Sequence, residues 1–181
     1  MPPLSRPSLL AVAPIELPFA ATAVSADWLA SHEHRLDVRV VDVRTDEQLP
    51  TAHPLRRSAF DKGHVPAAIY LGDVEVPLPH DIGSALIFAS TMSQRGVGDE
   101  HVIVVCGDGQ KDRDERVLWA LRSMGHPSSF LLEGGLPAWS RRRLPVAVDA
   151  VAHAPASFTA KLIPAPADTD TRLSKRRRNK R

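Results

Sequence analysis

Any nucleophilic chemistry in this chain rests on one thiol. Cys106 is the single cysteine among 181 residues, and it ends the apolar run Val102-Ile103-Val104-Val105 and opens Gly107-Asp108-Gly109. A β-branched run of this length running into glycines predicts a buried strand that leaves the sheet through a loop. Helical spacing follows, with Val117, Leu118, Leu121 and Met124 on one face of a helix predicted over Glu115 to Met124 and closed by Gly125. A thiol at the carboxyl end of a parallel strand faces loop amides and a helix N-terminus, both of which favour negative sulfur. The reactive species is the thiolate, so positive surroundings are needed to bring the pKa below ~8.5. The stretch after Cys106 works against this: Asp108, Asp112, Asp114 and Glu115 outnumber Lys111, Arg113 and Arg116. Carboxylates beside a thiol raise its pKa and repel anionic donors.

The other chemistry-bearing residues form weaker patterns. His32 and His34 are two apart and share no helix face, and no His/Cys set has zinc spacing, so no metal and no cofactor is expected. Asp42 and Arg44 end a strand; a structural ion pair between Arg44 and a carboxylate is expected there.

The elements that position these residues follow from periodicity. Ser25 is a candidate N-cap for a short helix over Ala26 to Ser31. Val38 to Arg44 is a strongly β-branched strand, followed by a polar loop from Thr45 to Ser58. Ala67 to Leu71 predicts a second strand and Ser84 to Arg95 a helix ended by Gly96, with Leu86, Ile87 and Met92 facing inward. Ser129 to Leu132 is a further strand and Pro137 to Arg143 a last short helix. Short buried strands alternating with helices predict an α/β fold, a parallel sheet with right-handed crossovers and helices on both faces, whose ligands bind at the carboxyl ends of strands.

Composition bounds the rest. With 43% hydrophobic residues the chain can build a core. The net charge of +2 is misleading, because residues 172–181 hold seven of the 23 basic residues and no acidic one. The other 171 residues carry 16 basic against 21 acidic residues, so a nucleic-acid groove on the globular part is not expected. The tail reads first as a solvated charge run, and it is the one segment open to an acidic or nucleic-acid partner. Residues 1–23 predict an unstructured leader, 24–147 the domain, and 148–181 a disordered Ala/Pro-rich and basic tail. Glu16, Pro14 and Pro18 interrupt the early apolar region and Arg6 is the one basic residue before the domain, so neither a secretory nor a mitochondrial signal is expected. No apolar run reaches the length of a membrane span. One cysteine permits no internal disulfide, which suits a reducing, cytoplasmic setting.

Four segments in order resemble the rhodanese (sulfurtransferase) family over about residues 24–146. They are Asp42-Val43-Arg44; Phe60-Asp61-Lys62-Gly63-His64-Val65-Pro66-Ala67-Ala68; the strand-end Cys106; and Leu132-Glu133-Gly134-Gly135-Leu136-Pro137-Ala138-Trp139. The long loop between Arg44 and Phe60, the Pro77-Leu78-Pro79-His80 stretch and Arg116 to Arg122 are similar to the N-terminal half of the two-domain thiosulfate and 3-mercaptopyruvate sulfurtransferases. In such tandem proteins that half is usually inactive, with aspartate where this chain has Cys106.

The resemblance implies a three-layer fold around a parallel sheet of about five strands. It also implies sulfur transfer from a small anionic donor to a thiol or cyanide-like acceptor through a persulfide on Cys106. Gly107, Asp108, Gly109, Gln110, Lys111 and Arg113 would bind the substrate. His64 would fix the turn into the second strand, and Gly134, Gly135 and Trp139 would form a turn and core anchor. Two other readings remain. One is a non-catalytic module of the same fold that binds a partner. The other is a phosphatase, which needs Cys-x5-Arg spacing and so an arginine where the chain has Asp112.

Overall fold

The computed structural model describes residues 22–45, 59–77, 81–109 and 111–161. The leader, most of the loop between Arg44 and Phe60, residues 78–80, Gln110 and the basic tail lie outside the described residues. The elements run β1 (Ala23–Val24), α1 (Ala26–His32), β2 (Val38–Asp42), α2 (Ala59–Lys62), β3 (Ile69–Tyr70), α3 (Ile82–Gln94), β4 (Val102–Cys106), α4 (Lys111–Ser123), β5 (Ser129–Leu132) and α5 (Gly135–Arg141). The five strands form one parallel sheet in the order β1-β5-β4-β2-β3, the expected architecture.

Alternation along the strands builds two cores. Val41 and Val43 of β2 and its exit, with Ile103 and Val105 of β4, pack under α3 and α4 against Phe88, Met92, Leu121 and Met124. Val38, Val40, Val104 and Cys106 face the other way, toward Leu29 of α1, Phe60 of α2 and Trp139 of α5. β4 is buried at all five positions because both faces are covered.

Three expectations need correction. In α3 the inward residues are Ala85, Phe88, Ala89 and Met92, whereas Leu86 and Ile87 are exposed by 57% and 70%. Positions 85, 88, 89 and 92 are the i, i+3, i+4, i+7 stripe, and the two alanines on it present little bulk to the sheet. Asp81 caps α3, accepting from the amides of Gly83 and Ser84. Second, α4 begins at Lys111, four residues earlier than periodicity suggests. Its first turn is polar, so hydrophobic spacing is silent there, while Asp112 and Asp114 favour the positive end of the helix. Third, residues 153–161 are not loose. They lie against the domain: His153 Nε2 is 3.0 Å from Ala67 O, the Ala156 amide donates to Ser93 O, Thr159 to the Asp99 carboxylate, and Lys161 to Met124 O. Phe158 is buried in the core beneath α3 and α4.

This strap closes over His126. Its Nδ1 lies 2.8 Å from Ser129 Oγ, whose hydroxyl is 3.1 Å from His126 O, and the Gly98 backbone also faces the buried ring. Phe158 stacks on the ring at 5.5 Å. Asp99, Glu100 and His101 from the α3–β4 turn face this corner, with Arg122 of α4 on Ser129 O and Lys161 of the strap beside Asp99. Burial holds the His126 pKa below its ordinary value. The closed strap therefore binds fewer protons than the open one. Its stability is full above the free-imidazole value of ~6.5 and declines as pH falls below that, by up to ~tenfold in the opening equilibrium per pH unit. Hydrogen exchange at the amides of Ala156, Phe158 and Lys161, corrected for intrinsic rates, should accelerate between pH 7.5 and 5. Exchange that is flat with pH would rule this coupling out.

Candidate functional site

Parallel pairing of β2 and β4 puts Asp42 directly opposite Cys106, so both side chains leave the same face of the sheet at its carboxyl edge. Asp42 is fully buried. Arg44 folds back onto it, with Nε 3.0 Å from both carboxylate oxygens, Nη2 2.7 Å from Oδ2, and the Arg44 amide on Oδ1 at 3.0 Å. Nη2 also donates to Gly63 O at 2.7 Å, tying the end of β2 to the turn that carries His64. The expected ion pair is formed, and it lies next to the thiol.

The loop after Cys106 is held from α5. The Leu136 amide donates to Gly107 O at 2.9 Å. Gly135 adopts φ +56°, and a Cβ there would lie 2.4 Å from Gly107 O and 2.8 Å from Gly109 N; only glycine lets the two segments approach this closely. Gly109 itself turns at φ +86°. With α4 starting at Lys111, the loop spans four residues, 107–110, between strand and helix.

The thiol sits deep. Cys106 is 1% exposed, packed in the core with Val104, Phe130 and Trp139. Its sulfur lies 3.9 Å from Gly107 O. Burial, then Asp42, pushes its pKa well above the ordinary cysteine value, and Asp114 adds to the rise. Arg44 and the Leu136 amide oppose it.

The residues expected to bind substrate are distributed unevenly. Gly107, Asp108 and Gly109 form the loop, with Asp108 exposed; Lys111 opens α4, and Gln110 lies outside the described residues. Arg113 departs most from expectation. Its Nε donates to Val43 O at 2.7 Å, and Nη2 reaches Leu71 O, Gly72 O and Val74 O at 3.3, 3.2 and 2.9 Å. It is therefore not a solvated surface arginine: it staples α4 to the exits of β2 and β3, where the backbone carbonyls have left the ladder, while also lining the cleft beside the loop.

Sequence reasoning did not single out Asp114. It is 7% exposed in the first turn of α4, and a Cβ on Gly107 would fall 1.8 Å from its Oδ1 and 2.2 Å from its Oδ2. The carboxyl thus occupies the space that a side chain at 107 would take. Burial raises its pKa to about 6, with the neighbouring Asp108 adding to the shift. A cleft of about 260 Å³ opens here between Arg44, Thr45, Asp108, Asp112, Asp114 and Arg116. The small glycine at 107 and acids in the first turn of a helix were the available signals. Among the described residues no cluster of His, Cys, Asp and Glu is arranged to hold a metal, and no helix is long and apolar enough to cross a membrane.

His64 is fully buried, with Nδ1 2.8 Å from Phe60 O and its ring stacked on Phe60 at 3.7 Å. Its backbone bridges Ala147, so it fixes the turn before β3. Trp139 is the largest fully buried side chain, and its Nε1 donates to Pro145 O at 2.7 Å.

Comparison with known proteins agrees with this arrangement. The chain is 30% identical over 146 residues to a 3-mercaptopyruvate sulfurtransferase of Escherichia coli, covering 78% of this chain and 52% of that protein. It is 29% identical over 124 residues to thiosulfate/3-mercaptopyruvate sulfurtransferase 1, mitochondrial, of Arabidopsis thaliana, covering 64% of this chain and 31% of the relative. The crystal structure of the 3-mercaptopyruvate sulfotransferase SseA from Escherichia coli superposes with a TM-score of 0.67 at 27% identity, over 86% of this chain and 62% of that one. The chain spans about half the length of the curated relatives it matches. Residues 25–142, from the cap of α1 to the end of α5, match the rhodanese-like domain model. The chain therefore belongs to the rhodanese-like family.

Proposed function

We propose that this domain is a sulfurtransferase that carries sulfane sulfur on Cys106. The observation that carries the reading is the position of Cys106, at the end of the central strand and in a short glycine loop bound to the amide of Leu136, in a chain whose named relatives are sulfurtransferases. The donor is a small sulfur anion such as thiosulfate or 3-mercaptopyruvate and the acceptor a thiol or cyanide-like nucleophile. With thiosulfate, the Cys106 thiolate attacks the outer sulfur, the sulfur–sulfur bond breaks, and its electron pair leaves with sulfite. With mercaptopyruvate the carbon–sulfur bond breaks, the pair stays on carbon, and the thiol proton completes pyruvate. Each leaves a persulfide anion on Cys106, which the acceptor then removes. Loop amides and the N-terminal end of α4 stabilise that anion. A free thiol at the centre of this chemistry fits a reducing, cytoplasmic setting, and the charge of residues 172–181 suits an acidic or nucleic-acid partner outside the domain.

The burial of Cys106 and the two carboxylates beside it favour a second reading, a non-catalytic rhodanese-like module that binds a partner. Intact-mass measurement after incubation with thiosulfate or mercaptopyruvate separates the two. Sulfur transfer predicts a gain of one sulfur atom, lost in Cys106→Ser and faster as pH rises from 6 to 9, because the raised thiol must ionise. An unchanged mass with both donors across that range leaves the binding module as the function.

A further inference from the structure

Two of the three arginines that line the cleft use donors on the protein itself, while the third, Arg116, is exposed to solvent. Arg44 spends Nε and Nη2 on Asp42 and Gly63 O, and Arg113 spends Nε and Nη2 on four carbonyls. The acid that reaches the loop is not neutralised in the same way: among the described side chains, no arginine, lysine or histidine forms an ion pair with Asp114. Its carboxyl is nonetheless buried and set against Gly107, the residue that follows the thiol. A desolvated charge acts through low dielectric and is screened far less than one at the surface. An incoming donor must place its outer sulfur on Cys106, and so brings its own charge toward this carboxylate.

We propose that Asp114 is the specificity-determining residue of the Cys106 site, a negative filter that disfavours donors of higher negative charge and so selects a monoanionic or neutral sulfur donor over the thiosulfate dianion. The inference rests on the sulfur-transfer reading for the identity of the donors, though the filter itself is a property of the pocket. Helix α4 places it: because α4 starts at Lys111, Asp114 falls in the first turn and its side chain turns back onto the loop. The filter differs from the general acidity of the loop, since Asp108 and Asp112 are exposed and screened by solvent.

Two selectivities in the full chain test it. The first is the ratio of persulfide formation by mercaptopyruvate to that by thiosulfate, in the native protein and in Asp114→Asn. The second is the ratio of Cys106 alkylation by neutral iodoacetamide to that by anionic iodoacetate, which needs no sulfur transfer and in which the thiolate fraction cancels. Asp114→Asn should shift both ratios toward the more anionic reagent, by about tenfold for one unit of charge difference. In the native protein the alkylation ratio should shift the same way as pH falls through about 6, where Asp114 gains its proton; this arm holds even if the variant does not fold. Alkylation ratios that are unchanged in Asp114→Asn and flat between pH 5 and 7.5 overturn the proposal. Absence of persulfide with either donor, together with a shifted alkylation ratio, overturns the sulfur-transfer reading and leaves the filter standing.

Discussion

Asp42→Ala is expected to destabilise the domain by about 3–5 kcal/mol while making Cys106 more reactive. The two effects have one source. Asp42 is fully buried and Arg44 nearly so, with side-chain exposures of 0% and 12%. Removing the carboxylate leaves a guanidinium whose remaining recorded partner is Gly63 O, and stranding one member of a buried pair costs about 3–5 kcal/mol. Asp42 is also the neighbour, after burial itself, that most raises the Cys106 pKa, whereas Arg44 lowers it. With Asp42 gone, the arginine's pull on the thiol is opposed by burial and Asp114 alone. Thermal unfolding should show the midpoint falling by roughly 10 °C or more. The pH profile of iodoacetamide alkylation should move to lower pH in the same variant. An unmoved profile would show that the field at the sulfur is set elsewhere. The pair therefore trades thiol reactivity for the rigidity of the β2 exit.

The second large effect is expected at Trp139. Trp139→Ala removes the largest fully buried side chain from the core that contains Cys106, and truncation of a buried tryptophan costs about 3–5 kcal/mol. It also removes the bond from Nε1 to Pro145 O, which pins the chain leaving α5. The effect should reach the site, because α5 is seven residues long and its first turn supplies the Leu136 amide and the close approach of Gly135 to the loop. Denaturant titration should show the loss in stability. Alkylation under native conditions should show Cys106 more accessible than the folded fraction alone explains. A stability loss below ~1 kcal/mol would mean that α5 is held by other contacts.

Much of this was legible in the sequence because strands and glycine turns are local. The run from Val102 to Cys106 announces a buried strand, and Gly134-Gly135 announces a turn that side chains cannot follow. The misread features depend on partners distant in the chain. Leu86 and Ile87 read as inward because they are large, yet the sheet accepts Ala85 and Ala89. Arg113 lines the cleft as a charged residue near Cys106 can, but its bonds to carbonyls up to 70 residues away leave no trace in local spacing. The strap over 153–161 carries no periodicity, since a segment held by hydrogen bonds to Ser93, Asp99 and Met124 needs none. Asp114 was visible only as one acid among several; its burial follows from where α4 starts, which hydrophobic spacing cannot locate.

The strand order has one further consequence. The sheet ends on both sides in a strand of two residues, β1 at one edge and β3 at the other, while the long apolar strands β2 and β4 are neighbours within it. An edge that short gives a neighbouring molecule few main-chain groups to pair with. The most aggregation-prone sequence in the chain, Val102-Ile103-Val104-Val105, is thus kept from intermolecular β-pairing by topology alone, as long as the domain stays folded. Variants that loosen the sheet are therefore expected to lose solubility as they lose stability.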